Sequence, residues 1–202
     1  MWGLVESGSI TKLINNPKGL VVGDIRYSRK IFELWSKSEL EAIGIYEVEF
    51  NNTNKKDEQW YTNTNQSFAF AGGKITASYG SATAKAHADT LWTAQDESDG
   101  KGTEGEVATR GLKYNLIRTV KQQAAGILQD TDWYIVRKAD ASTAVPSAIT
   151  NHRAAVRTKA AEMETAITNA SDTPALETLY TYTKQEDGSV TRPLGELPTL
   201  ES

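Results

Sequence analysis

The segment Gly100-Lys101-Gly102-Thr103-Glu104-Gly105 carries the glycine spacing of dinucleotide-binding loops. That spacing does chemistry where a strand delivers the loop and a helix start receives the pyrophosphate, because glycine lets backbone N–H groups approach the phosphates. Here the preceding residues, Asp96-Glu97-Ser98-Asp99, are acidic and not strand-like, and would repel phosphate. Asp96–Gly105 therefore reads as a flexible linker, and no cofactor is expected. His87 and His152 have no second histidine or carboxylate at a tight metal-ligand spacing, so no metal is expected and both read as surface or interface residues. Asp130 and Asp132 form a close carboxylate pair of the kind acid–base catalysis uses. No third group is in view to work with them. Asp132 reads as a cap or the start of a connector, and Asp130 as the close of the preceding helix. Arg153 and Arg157, four residues apart, could gather an anion. With Lys159, Glu162 and Glu164 beside them, a solvated mixed-sign helix face is the stronger expectation.

Composition narrows the classes further. The 202-residue chain has no cysteine, which removes disulfides, thiolate catalysis and cysteine-based zinc sites. A net charge of −4 with no lysine/arginine block argues against nucleic acid. No stretch approaches the apolar length that spans a bilayer, and the Met1–Glu6 start lacks a signal-peptide pattern, so a soluble protein made in a cytoplasm is expected. Without a secretory signal, Asn51-Asn52-Thr53, Asn65-Gln66-Ser67 and Asn169-Ala170-Ser171 read as chance matches to the glycosylation spacing.

The elements that would position any site are α+β in pattern. Residues 1–72 read as a small antiparallel β-rich module with a short helix. Trp2–Glu6 and Ile10–Ile14 flank Ser7-Gly8-Ser9, and Leu20–Val22 and Ile25–Tyr27 flank Gly23-Asp24, which predicts two hairpins. Ser36 with Glu39 is a capping-box spacing, so a helix over Lys37–Ile43 ending at Gly44 is predicted. Ile45–Phe50 alternates as a strand, and Gln59–Thr62 and Ser67–Ala71 complete the module. Residues 73–105 read as a variable connecting segment: Lys74–Tyr79 favours a strand, Ala-rich Ala82–Trp92 suggests a helix, and the linker follows. Trp35, Trp60, Tyr61, Trp92, Trp133 and Tyr134 exceed what a surface needs and read as core, some of them as interface anchors.

Residues 106–170 read as a helical hairpin. Leu112, Leu116, Ile117, Val120, Ala124, Ile127 and Leu128 recur at helical spacing, as do Ile149, Arg153, Val156, Ala160, Met163 and Ile167. Between them, Asp130–Lys138 reads as a non-helical connector whose Trp133, Tyr134 and Ile135 could clamp the two helices. Residues 171–202 read as an extended tail with little to bury, in which Ala175–Lys184 is a short helix or strand.

A family resemblance rests on two sets of residues. Trp2-Gly3-Leu4-Val5-Glu6, Tyr27–Phe32 and Trp35–Tyr46 are similar to the N-terminal module of many tailed-phage proteins, particularly those of marine phages. Gln123–Leu128, Asp130-Thr131-Asp132-Trp133, Ile135, Arg137, Pro146, Arg153-Ala154-Ala155-Val156-Arg157 and Met163-Glu164 resemble the C-terminal region of phage tail and tail-fibre assembly proteins. His152 stands where that pattern carries an aromatic residue. The resemblance leaves out Lys74–Glu104 and the final tail. It implies a non-enzymatic structural component of a tailed-phage virion at the tail, baseplate or fibre attachment, made in the host cytoplasm. The alternative is a tail-fibre assembly chaperone absent from the mature particle. A glycan-cleaving enzyme is a weaker option, needing paired carboxylates at a working separation. Expected partners are other tail or fibre proteins and further copies of the chain, with no catalytic residue carried over. Rigid aromatics and arginine dominate interface energetics, so Trp133, Tyr134, Ile135 and Arg137 are the expected anchors.

Overall fold

The computed structural model describes residues 1–200. The chain is α+β and divides into two units, Met1–Thr83 and Ala84–Ser202. In the first, β1 (Trp2–Glu6) and β2 (Ser9–Ile14) form a hairpin whose turn places Ser7 and Gly8 both at positive φ, as a tight two-residue turn requires. A second hairpin pairs β3 (Leu20–Val22) with β4 (Ile25–Tyr27). After a single turn, α1 (Ile31–Leu34), comes α2 (Lys37–Ala42). The helix α2 opens with the expected capping box: the Ser36 N–H donates to Glu39 at 2.7 Å, and the Glu39 N–H donates back to Ser36 Oγ.

The strand β5 (Ile45–Asn51) follows directly, then β6 (Tyr61–Thr62), β7 (Ser67–Ala71), β8 (Lys74–Ser78) and the two-residue β9 (Thr83–Ala84) at the unit boundary. The main sheet runs in the order β2-β1-β5-β8-β7. It departs from the expected antiparallel pattern at one place, where β5 and β8 run parallel with Val48 opposite Ile75. The strand Lys74–Ser78 is thus an inner strand of the first sheet, so that unit runs past residue 72, to Thr83. Strand alternation builds two cores. Leu4, Ile14, Leu20, Ile31, Leu40 and Ile45 pack together with Trp2, Tyr27 and Trp35. Val48, Ile75 and Ala77 pack with Tyr46, Phe68 and Phe70.

The second unit opens with β10 (Thr90–Leu91), α3 (Ala94–Ser98) and β11 (Val107–Thr109), a small hairpin with a helical turn inside it. Two long helices follow, α4 (Leu112–Gln129) and α6 (Ser147–Asn169), with α5 (Asp132–Ala141) between them. They are antiparallel, since Lys113 reaches the Thr168 carbonyl, Lys121 pairs with Glu164, and Leu128 meets Arg153. The predicted stripe of α6 is buried in full: Ile149, Arg153, Val156, Ala160, Met163 and Ile167. The chain ends in α7 (Thr173–Tyr180), then the hairpin of β12 (Thr183–Lys184) with β13 (Val190–Thr191).

From Ala82 onward four segments differ from expectation, the Asp130–Lys138 connector among them, which is helical over most of its length. Ala82–Trp92 forms no helix. Its backbone is extended because the Ala86 and His87 carbonyls accept hydrogen bonds from Leu112 and Lys113 N–H, two of the otherwise unpaired donors at the start of α4. Asp96–Gly105 is no featureless linker, because Thr93 and Asp96 form a reciprocal capping box and the α3 turn is closed by Lys101 pairing with Asp96 and Asp99. The final segment is not simply extended. Leu194 is buried and its N–H donates to the Leu179 carbonyl, while Arg192 stacks on Tyr180 and Tyr182 and pairs with Glu196. Burying one leucine contributes about 2 kcal/mol, and the hairpin hydrogen bonds and the Arg192 contacts add to it in offsetting the cost of ordering this segment.

Gly44 joins α2 to β5 at φ +81°, and a Cβ there would lie 2.5 Å from the Val5 carbonyl oxygen. Gly8 has a similar φ of +78° with open space around it. Gly44→Ala should therefore cost clearly more than the ~1 kcal/mol expected of Gly8→Ala. Urea unfolding of the two variants checks this; equal midpoints would contradict the packing described for β1 and β5.

Candidate interaction site

Asp130–Lys138 was expected to be irregular, and instead most of it is the helix α5. The reason lies in the side chain of Arg153, which helical spacing put in the apolar stripe of α6 and the surrounding charge pattern put on a solvated face; it is only 7% exposed. Its Nη1 donates to the Leu128 carbonyl and to Thr131 Oγ1, each at 2.7 Å. Its Nη2 pairs with Asp132 at 2.8 Å. Leu128 lies in the last turn of α4, where carbonyls have no partner within the helix, and Asp132 opens α5, where a carboxylate favours the helix start. Thr131, itself buried, donates its hydroxyl to the same Leu128 carbonyl at 3.0 Å. One guanidinium from α6 thereby closes α4, starts α5 and fixes the corner between them. Asp130 closes α4, as the sequence suggested. His152, expected at a surface or an interface, is buried beside Arg153 because both fall on the inner side of α6.

Anchored at one end only, α5 buries none of its ten residues. An isolated helix of that length is marginal in water. It nonetheless carries Trp133 at 50%, Ile135 at 43% and Val136 at 65% exposure. The predicted anchors do not form a single set. Trp133, Tyr134 and Arg137 cluster: the two rings lie 3.8 Å apart between centroids, and the Arg137 guanidinium lies 4.7 Å from the Trp133 ring and 5.5 Å from the Tyr134 ring. Spacings of three and four residues place them on one arc of the helix. Ile135 falls with Lys138 on the next arc, facing a cleft. The clamp between two helices expected of Trp133, Tyr134 and Ile135 is not made; these residues lie outside the α4–α6 core. The sequence signal for the stacked trio was present as i, i+4 spacing of Trp133 and Arg137, and cation–π pairing at that spacing is the physical rule that reads it.

The remaining chemistry-bearing residues are dispersed. Gly102 lies so close to the Trp92 indole that a Cβ would sit 2.3 Å from Nε1, and Gly100 and Gly105 have positive φ in turns. Close approach and turn geometry account for all three glycines. Asp96 accepts from the Thr93 hydroxyl and N–H and pairs with Lys101, which holds its carboxyl down at about 2. That ionised carboxylate fits the helix-capping role and leaves a negative group where a phosphate would have to approach. Among the described residues, no group of three His, Cys, Asp or Glu could hold a metal ion, and no helix is long and apolar enough to cross a membrane. No family model matches the chain, no curated protein matches it, and no solved structure matches it.

Replacing Arg153 by Ala should lower the stability of the full chain by about 1–3 kcal/mol, because it strips a charged donor from the buried Thr131 hydroxyl and the half-buried Leu128 carbonyl at the α4–α5 corner. The Asp132 side of the contact is half exposed and contributes little of this. Chemical denaturation of the variant measures the loss; a change within about 0.5 kcal/mol, as for an ordinary surface position, would contradict the geometry.

Proposed function

We propose that the chain is a non-enzymatic structural component of a tailed-phage virion, at the tail, baseplate or fibre attachment, and that it works by packing α5 against a neighbouring protein or another copy of itself. The observation that carries the reading is the state of α5: ten helical residues with no buried side chain, three large apolar side chains in water, and a pre-stacked Trp133–Tyr134–Arg137 cluster. Exposed apolar surface concentrated on one short element marks a contact site, and ordered aromatics lose little entropy when they are covered. The resemblance of Asp130–Trp133 and Arg153–Arg157 to tail and tail-fibre assembly proteins supports the same place in biology. In the first unit, the β3–β4 hairpin also leaves Val21 and Ile25 exposed, a second apolar surface for a neighbour. Virion parts repeat about an axis, so a symmetric homo-oligomer is the arrangement this role calls for.

Trp133→Ala removes the most exposed ring of the cluster and leaves the α4–α6 core untouched. The variant should keep its thermal unfolding midpoint within a few degrees and be lost from purified particles. Mass spectrometry of virions formed with wild-type or variant chain reads the result. Normal incorporation of the variant would overturn the role given to α5, and absence of the wild-type chain from mature particles would favour the assembly chaperone instead.

A further inference from the structure

Beside the aromatic cluster lies a cleft of about 290 Å³ lined by Ile135, Lys138, Ala144, Val145, Thr150, Arg153 and Arg157. Its three ionisable lining groups are all cationic. Lys138 and Arg157 form no ion pair among the described residues; the guanidinium of Arg157 makes only a long 3.5 Å contact to the Arg153 carbonyl. Arg153 spends its two terminal nitrogens on the α4–α5 corner, and its buried Nε has no hydrogen-bond partner. One carboxylate, Asp132, answers three cations, and it does so through Arg153 Nη2. The same lining also carries the apolar side chains of Ile135, Ala144 and Val145.

From this we infer that the cleft receives an acidic side chain of the docking partner, so that the partner segment seated on α5 carries a Glu or Asp next to the apolar residues that cover Trp133. The volume is near the lower end of small-molecule sites, suited to a carboxylate on a short apolar stem. Two cations without ion pairs, beside apolar lining residues, match both parts of that side chain. This inference rests on α5 being a docking element and adds the charge of what docks there. Complementary charge would set register and rate of association more than total affinity.

The test uses the full-length chain in two arms. In the first, N-acetyl-glutamate is titrated into the protein while side-chain NMR signals of Lys138 and Arg157 are followed, with N-acetyl-glutamine as the neutral control and inorganic phosphate as a competitor. Saturable millimolar shifts with glutamate, absent with glutamine and at least about tenfold weaker in Arg157→Gln, are expected. No saturable shift, equal shifts with glutamine, or preferential binding of phosphate would overturn the inference. In the second arm, the charge reversal Lys138→Glu with Arg157→Glu changes two exposed side chains, so the fold should persist by circular dichroism while incorporation into particles falls at least about tenfold. If this double variant incorporates normally while Trp133→Ala does not, the acidic partner is wrong and the docking role of α5 stands. If both incorporate normally, the docking role itself fails.

Discussion

Everything distinctive in the second unit depends on the placement of one guanidinium. Arg153 sits in an otherwise apolar stripe of α6, and an arginine there is tolerated because its donors meet a helix-end carbonyl, a threonine hydroxyl and a carboxylate. The arrangement is not fully satisfied, since Nε is buried without a partner. What the geometry secures is the direction in which α5 leaves α4.

The consequence is a division of labour within the unit. The helices α4 and α6 bury Val120, Ala124, Val156, Ala160, Met163 and Ile167 and supply the stable body, with Leu176 and Leu194 closing it. The helix α5 contributes almost nothing to that body and exposes Trp133 and Val136, with Tyr134 and Arg137 half-buried against Trp133 and with Ile135 and Lys138 beside the cationic cleft. An element with few buried contacts is where local opening is cheapest, and binding elements are drawn from that end of the stability range. Arg153 serves both parts, holding the corner on one side and lining the cleft on the other.

Much of this was legible in the residues. Ser36 with Glu39 announced α2, Ser7-Gly8 and Gly23-Asp24 announced two hairpins, and the spacing from Ile149 to Ile167 marked the buried face of α6, Arg153 included. Those signals are local, and local structure followed them. One failure is local, since Asp96–Gly105 is ordered by Thr93, Asp96 and Lys101 close by, and the others share one cause, which is a partner distant in sequence. Alanine propensity suggested a helix over Ala82–Trp92, but the carbonyls of Ala86 and His87 are used by the start of α4. Asp and Thr suggested a break at Asp130–Lys138, but a side chain more than twenty positions away supplies what the helix start lacks. The polar tail suggested extension, but Leu194 and Arg192 find a leucine carbonyl and two tyrosine rings. At the site itself, residue types pointed to the right helix and misjudged its role within the fold, since exposure cannot be read from aromatic content alone.

Native-state hydrogen exchange on the free full-length chain tests the central claim most directly. If Arg153 holds α5 in place, amides of residues 132–141 should exchange through an opening of lower free energy than those of α4 and α6, and Arg153→Lys should lower that opening energy, with the α4 and α6 amides that exchange by global unfolding lowered by a similar amount because the contact is lost in both open states. Exchange of α5 only through global unfolding, unaffected by the lysine substitution, would contradict the account.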